Sequence, residues 1–142
     1  MLLQHTSKEL DALARLMRAE AIGEGDMGML MVGNVVVNRA IANWLTFTRT
    51  PDLNSVIYAT SGGFAGINSE LFLSGSATTK EKDLASRVIR GEYYYPATNA
   101  LWFYAPKTGA SCVALWYDQR LAGRYKAHCF YQPYEGVCKE LH

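Results

Sequence analysis

The stretch from about Met27 to Asn43 is apolar almost all the way round. Met29, Leu30, Met31, Val32, Val35, Val36 and Val37 leave no continuous polar stripe at helical spacing. The run exceeds the ~4–8 residues of an ordinary strand, so it predicts a helix in spite of its β-branched residues. A helix that is apolar on every side has to be buried. The other elements must therefore pack around it. Asn34 and Asn38 are four residues apart and share one face.

Thr6 and Glu9 have the spacing of a capping box. Leu10, Leu13, Met17 and Glu20 follow at intervals of three and four, with Leu16 beside them, which predicts an amphipathic helix ended by Gly23 and Gly25. A short helix over Leu53 to Ala59 is expected after Pro51-Asp52, and then a loop through Ser61-Gly62-Gly63-Phe64-Ala65-Gly66. Thr78 and Glu81 repeat the capping-box spacing and open a helix to about Arg90, stopped by Gly91.

Beyond residue 92 the period falls toward two. Leu101–Tyr104, Ala114–Tyr117 and His128–Tyr131 read as three short strands, with Pro106, Gly109 and Gly123 in the turns between them. The expected architecture is α+β: a helical domain with a small antiparallel sheet, in one domain over residues 1–142.

The composition excludes several classes. The net charge of +1 lacks the basic surplus of a nucleic-acid binder. No apolar run approaches ~18 residues, so no membrane span is expected. Met1-Leu2-Leu3-Gln4-His5 has neither the basic start nor the apolar segment of a secretory signal. Cys112, Cys129 and Cys138 lack metal-motif spacing, and their odd number argues against a full disulfide framework; Cys129–Cys138 is the pair considered. His5, His128 and His142 are scattered, so no zinc site is expected. Neither Gly-x-Ser-x-Gly nor a phosphate loop is present.

Glu20 stands out as a carboxylate on an apolar helix face just before a glycine-rich turn. A carboxylic acid among apolar neighbours favours its neutral form. In that form it can protonate the leaving oxygen of a glycosidic bond. The other reading is a helix-end Glu reaching solvent. Glu24 is the nearest second carboxylate; Asp52, Glu70, Glu92 and Asp118 are further candidates for the usual pair. Aromatic side chains make up 12% of the chain and most lie beyond residue 92. They suit stacking on sugar rings as well as core packing.

The segment Arg18-Ala19-Glu20-Ala21-Ile22-Gly23-Glu24-Gly25 resembles the A-E-A-x-G-E signature of the spore-cortex-lytic cell-wall hydrolases, the SleB/CwlJ family. The resemblance continues through Val32–Arg39, Val56-Ile57-Tyr58 with Phe64, Ala100–Phe103 and Lys126–Pro133. It spans nearly the whole chain in order and is nearer to the short CwlJ branch. One departure is Glu70, where relatives have Gly.

The resemblance implies a lysozyme- and lytic-transglycosylase-like fold with Glu20 as the catalytic residue. It also implies peptidoglycan glycan strands of the spore cortex as substrate and a role in germination. A spore-coat protein would be a partner, and the enzyme would be made in the mother cell and placed at the coat–cortex boundary. No cofactor or metal is implied. Glu24, Phe64, Asn68, Trp116, Tyr117, His128 and Tyr131 are the candidate substrate-binding residues. Because successive strand residues point to opposite faces, His128 should share a face with Phe130 and Cys129 with Tyr131, unless the strand ends near His128 and frees it to reach the cleft. Three outcomes remain: a lytic transglycosylase with one acid, a hydrolytic glycosidase with a second carboxylate, or an inactive structural coat protein.

Overall fold

The computed structural model describes residues 3–42, 44, 47, 52–59, 63–138 and 140–142. Helix α1 (Ser7–Ala21) begins at the expected cap: Thr6 accepts from the Glu9 N–H, and the Glu9 side chain accepts from the Thr6 N–H. A single 3₁₀ turn (Ile22–Glu24) leads directly into α2 (Gly25–Ala42). Gly25 makes that join with φ +79°, a conformation that costs a side-chain-bearing residue energy. Two short helices follow, α3 (Leu53–Ile57) and α4 (Glu70–Leu73), and then α5 (Thr79–Ile89) with its own Thr78/Glu81 capping box.

Helix α2 is the buried rod that its composition requires; every residue from Gly28 to Arg39 is buried. Helices α1, α3 and α5 pack against it. At Gly33 a Cβ would lie 2.9 Å from Val88 Cγ2 and 3.0 Å from Met17 Cε, so its absence lets the α2 backbone approach α1 and α5. The two buried asparagines of α2 hold the segment that enters the sheet. Asn34 donates to the Glu92 carbonyl at 2.7 Å and accepts from the Tyr94 N–H at 2.9 Å. Asn38 faces the carbonyls of Ala97, Thr98 and Ala100 at 3.0–3.2 Å. Left unpaired in the core, such amides would cost ~1–3 kcal/mol each.

The sheet has four antiparallel strands in the order β1-β4-β3-β2: β1 (Trp102–Tyr104), β2 (Leu115–Trp116), β3 (Gln119–Tyr125) and β4 (His128–Gln132). Trp102, Phe103 and Tyr104 oppose Tyr131, Phe130 and Cys129. On one face Phe103 packs against His128 and Phe130; on the other Tyr131 packs against Tyr104 and Trp116.

Four sequence expectations change. Gly123 lies inside β3 and not in a turn, and the register shifts between Leu121 and Gly123. A Cβ there would stand 2.7 Å from Pro96 Cβ, so this strand position is one where the 95–96 segment needs glycine beneath it. The expected loop after Phe64 contains a 3₁₀ turn (Ala65–Asn68) and α4, both too short to show a helical period. The disulfide joins Cys112 to Cys129, not Cys129 to Cys138. The β1–β2 connection folds back over β4, whereas the Cys138 thiol donates to the Ala42 carbonyl at 3.2 Å. Tyr117 leaves the strand to form the β2–β3 turn, with φ +51°. Asn43, Pro51, Ser61 and Gly62, which also carried expectations, lie outside the described residues. Among the described residues, no helix is long and apolar enough to cross a membrane.

Candidate active site

The last turn of α1 carries Glu20 toward the 3₁₀ turn at 65–68, where Glu20 Oε2 accepts a hydrogen bond from the Gly66 N–H at 3.0 Å. Glu20 forms part of the wall of an open cavity of about 630 Å³. Its other walls come from Phe64 and Ala65, from Trp102, Phe103 and Tyr104 of β1, from Trp116 and Tyr117, and from His128 at the start of β4. Among the described residues lining this cavity Glu20 is the only carboxylate. The other carboxylates considered from sequence are engaged elsewhere or face solvent. Asp52 caps α3, Glu92 binds Arg87 and Tyr94, and Glu70 and Asp118 are exposed.

Arg39, in the last turn of α2, also reaches this cavity. Its guanidinium lies 4.3 Å from the centre of the Phe64 ring and 5.1 Å from that of Phe47, and its Nε donates to the Leu101 carbonyl at 2.7 Å. Burial pulls its pKa down to about 10, and the nearby negative charge of Glu20 opposes that shift. Arg39 therefore stays cationic at neutral pH. The guanidinium and the Gly66 N–H are both placed to stabilise a carboxylate at Glu20.

Phe64 stacks on Phe103 at 6.0 Å, and Phe103 meets the His128 ring edge-on at 5.2 Å. His128 is buried, and its Nδ1 contacts Glu24 Oε1. The Trp116 ring lies tilted against Tyr104 at 4.9 Å, and Tyr117 is tilted against Trp116 at 5.0 Å. Tyr117 is 78% exposed, so its ring is available at the cavity rim.

Of the residues selected from sequence, Glu20, Phe64, Trp116, Tyr117 and His128 thus line one cavity. Three others do not. Tyr131 is fully buried behind Tyr104 and Trp116, with its hydroxyl donating to the Val113 carbonyl at 2.7 Å. Its strand parity sends it to the face away from His128. Asn68 is exposed at the end of its 3₁₀ turn and is absent from the cavity wall. Glu24 is buried, with both carboxylate oxygens directed at protein groups. Arg39, Gly66 and the Trp102-Phe103-Tyr104 run are additional site residues. The available signals were a lone cation at the end of an otherwise uncharged buried stretch and three successive aromatics in a strand. No group of three or more His, Cys, Asp or Glu among the described residues could hold a metal ion.

The sequence pattern described as Cell Wall Hydrolase matches residues 23–131. The cell wall hydrolase CwlJ of Oceanobacillus iheyensis is 46% identical over 138 residues, 97% of this chain and 96% of that one. The CwlJ proteins of Halalkalibacterium halodurans and Bacillus subtilis are 44% and 41% identical, each over 96% of this chain and 94% of their own length. The crystal structure of the catalytic domain of the Bacillus cereus SleB protein superposes with a TM-score of 0.70 at 17% identity, covering 91% of this chain and 93% of that one. The helical layer with its small antiparallel sheet is therefore the SleB-type, lysozyme-like α+β fold expected from the sequence. From these matches, which extend over almost its whole length, the chain belongs to the cell wall hydrolase family.

Proposed function

We propose that this protein cleaves the glycan strands of spore-cortex peptidoglycan during germination, with Glu20 as its single acid–base group. The observation that carries this reading is the isolation of Glu20 as the one carboxylate among the described residues of an open, aromatic-walled cavity. A second acid held across the cleft would favour the two-carboxylate route.

In the proposed reaction, protonated Glu20 gives its proton to the glycosidic oxygen that leaves C1 of N-acetylmuramic acid. The Gly66 N–H occupies Oε2, which leaves Oε1 to carry the proton. As the bond breaks, positive charge develops at C1 and the ring becomes oxocarbenium-like. Glu20 becomes a carboxylate, stabilised by the Gly66 N–H and the nearby Arg39 cation. It then takes the proton of the sugar's own 6-hydroxyl while that oxygen attacks C1. The product is a 1,6-anhydro end, no water is consumed, and Glu20 is protonated again. In the hydrolytic alternative, water takes the place of the 6-hydroxyl.

Likeness to the CwlJ proteins supports cortex as substrate. On the same ground we place the enzyme at the coat–cortex boundary with a spore-coat protein as partner. Mass spectrometry of fragments released from purified cortex by wild type and Glu20→Gln tests the mechanism. Anhydro ends from wild type and none from the variant are expected. Reducing ends would establish hydrolysis, and near-normal release by Glu20→Gln would remove Glu20 from the chemistry. Absence of turnover by wild type on exposed cortex would favour a structural coat role.

A further inference from the structure

The Glu24 side chain is buried at the end of the 3₁₀ turn that joins α1 to α2, and it faces the turn that joins β3 to β4. Its Oε2 accepts from the Ala127 N–H at 2.7 Å, its Oε1 contacts His128 Nδ1, and its backbone carbonyl accepts from Lys126 Nζ at 3.2 Å. Space for this arrangement comes from Gly28, where a Cβ would lie 2.6 Å from Glu24 Cβ. Glu24 is not on the cavity wall, but His128 is.

A carboxylate can only accept hydrogen bonds. A neutral imidazole set against it therefore carries its proton on Nδ1, and the hydrogen bond at one ring nitrogen decides the state of the other. Nε2 lies on the other side of the ring and has no protein partner among the described residues. Phe103, packed edge-on against the ring, limits its rotation.

We propose that Glu24 is a positioning residue: it holds His128 in the Nδ1–H form, so that the Nε2 lone pair faces the cleft and accepts a hydroxyl group of the bound sugar. This rests on the cleft being the glycan site. Glu24 thus serves the substrate through His128, without touching it. The same contacts tie the end of α1, which carries Glu20, to the first residue of β4.

The test uses the whole chain labelled with ¹⁵N-histidine. Long-range ¹H–¹⁵N correlations report which ring nitrogens of His128 carry a proton. Wild type is expected in the Nδ1–H form. Glu24→Gln can donate as well as accept, so it should mix or reverse the tautomers. The same variant should raise the KM for cortex glycan about tenfold, the loss of roughly one hydrogen bond, with a smaller change in kcat. An Nε2–H tautomer in wild type overturns the proposal without any variant, so it can be tested even if Glu24→Gln fails to fold. A changed tautomer with unchanged KM overturns the link to sugar binding. Absence of glycan cleavage by wild type would instead overturn the reading of the cleft, and the sugar-hydroxyl part of the proposal with it.

Discussion

The Gly66 N–H donates to Glu20 Oε2 at 3.0 Å, and a Cβ on residue 66 would stand 2.9 Å from that same oxygen. One backbone position thus both orients the proposed acid and leaves room for it. Gly66→Ala should therefore push the carboxylate aside without unfolding the chain. A displacement of about 1 Å at a reacting group costs on the order of 10²-fold in rate. Fragment release from cortex should fall by that order while the melting temperature changes little. Full activity in a folded Gly66→Ala protein would show that the carboxylate can work from another position.

Tyr117 and Asp118 form the β2–β3 turn with φ +51° and +64°. Such backbone is unfavourable for non-glycine residues by ~1 kcal/mol or more. Here it sets the Tyr117 ring at the rim of the cavity. Tyr117→Gly should preserve or raise thermal stability and weaken glycan binding about tenfold, near the upper end of an aromatic contact. Equal losses of stability and binding would mean that the tyrosine serves packing alone.

Arg18 donates to the carbonyls of Leu71, Ser74 and Ser76 and to the Glu81 carboxylate, at 2.6–3.2 Å. It fastens the 71–76 segment to α1, and both partners of its ion pair are nearly buried. Arg18→Met should cost ~3–5 kcal/mol, because Glu81 and the carbonyls remain behind without their donor. Denaturant unfolding measures this; a loss below about 1 kcal/mol would indicate that water replaces the guanidinium.

Asp11 accepts from the Ala77 N–H and from Arg15 Nε, each at 2.8 Å. Burial alone would raise its pKa, but these bonds and the charges of Arg15 and Lys82 outweigh it, and its carboxyl titrates below the ordinary range. A folded-state value below the unfolded one adds stability that is present above the unfolded pKa. That stability is lost as pH falls through the folded pKa. Asp11→Asn should be less stable than wild type by about 1 kcal/mol near neutrality. The gap should close in melting curves taken below about pH 4. A gap independent of pH would assign the effect to packing.

The sequence alone determined the features whose causes lie within a turn or a periodic run. The two capping boxes join residues three apart, so Thr6/Glu9 and Thr78/Glu81 mark their helices without knowledge of the rest of the chain. The apolar character of α2 requires burial wherever its neighbours come from. Glu20 could be singled out because an acid on an apolar helix face is locally anomalous. Tertiary structure decided the features made between distant segments. Strand β3, with Gln119, Arg120, Gly123 and Arg124, lacks an apolar alternation, and its pairing depends on β2 and β4. Cys112 meets Cys129 only because the β1–β2 connection folds back over the sheet. Glu24 and His128 are 104 positions apart. No local pattern links them, because their contact exists only once the sheet packs against the join between α1 and α2.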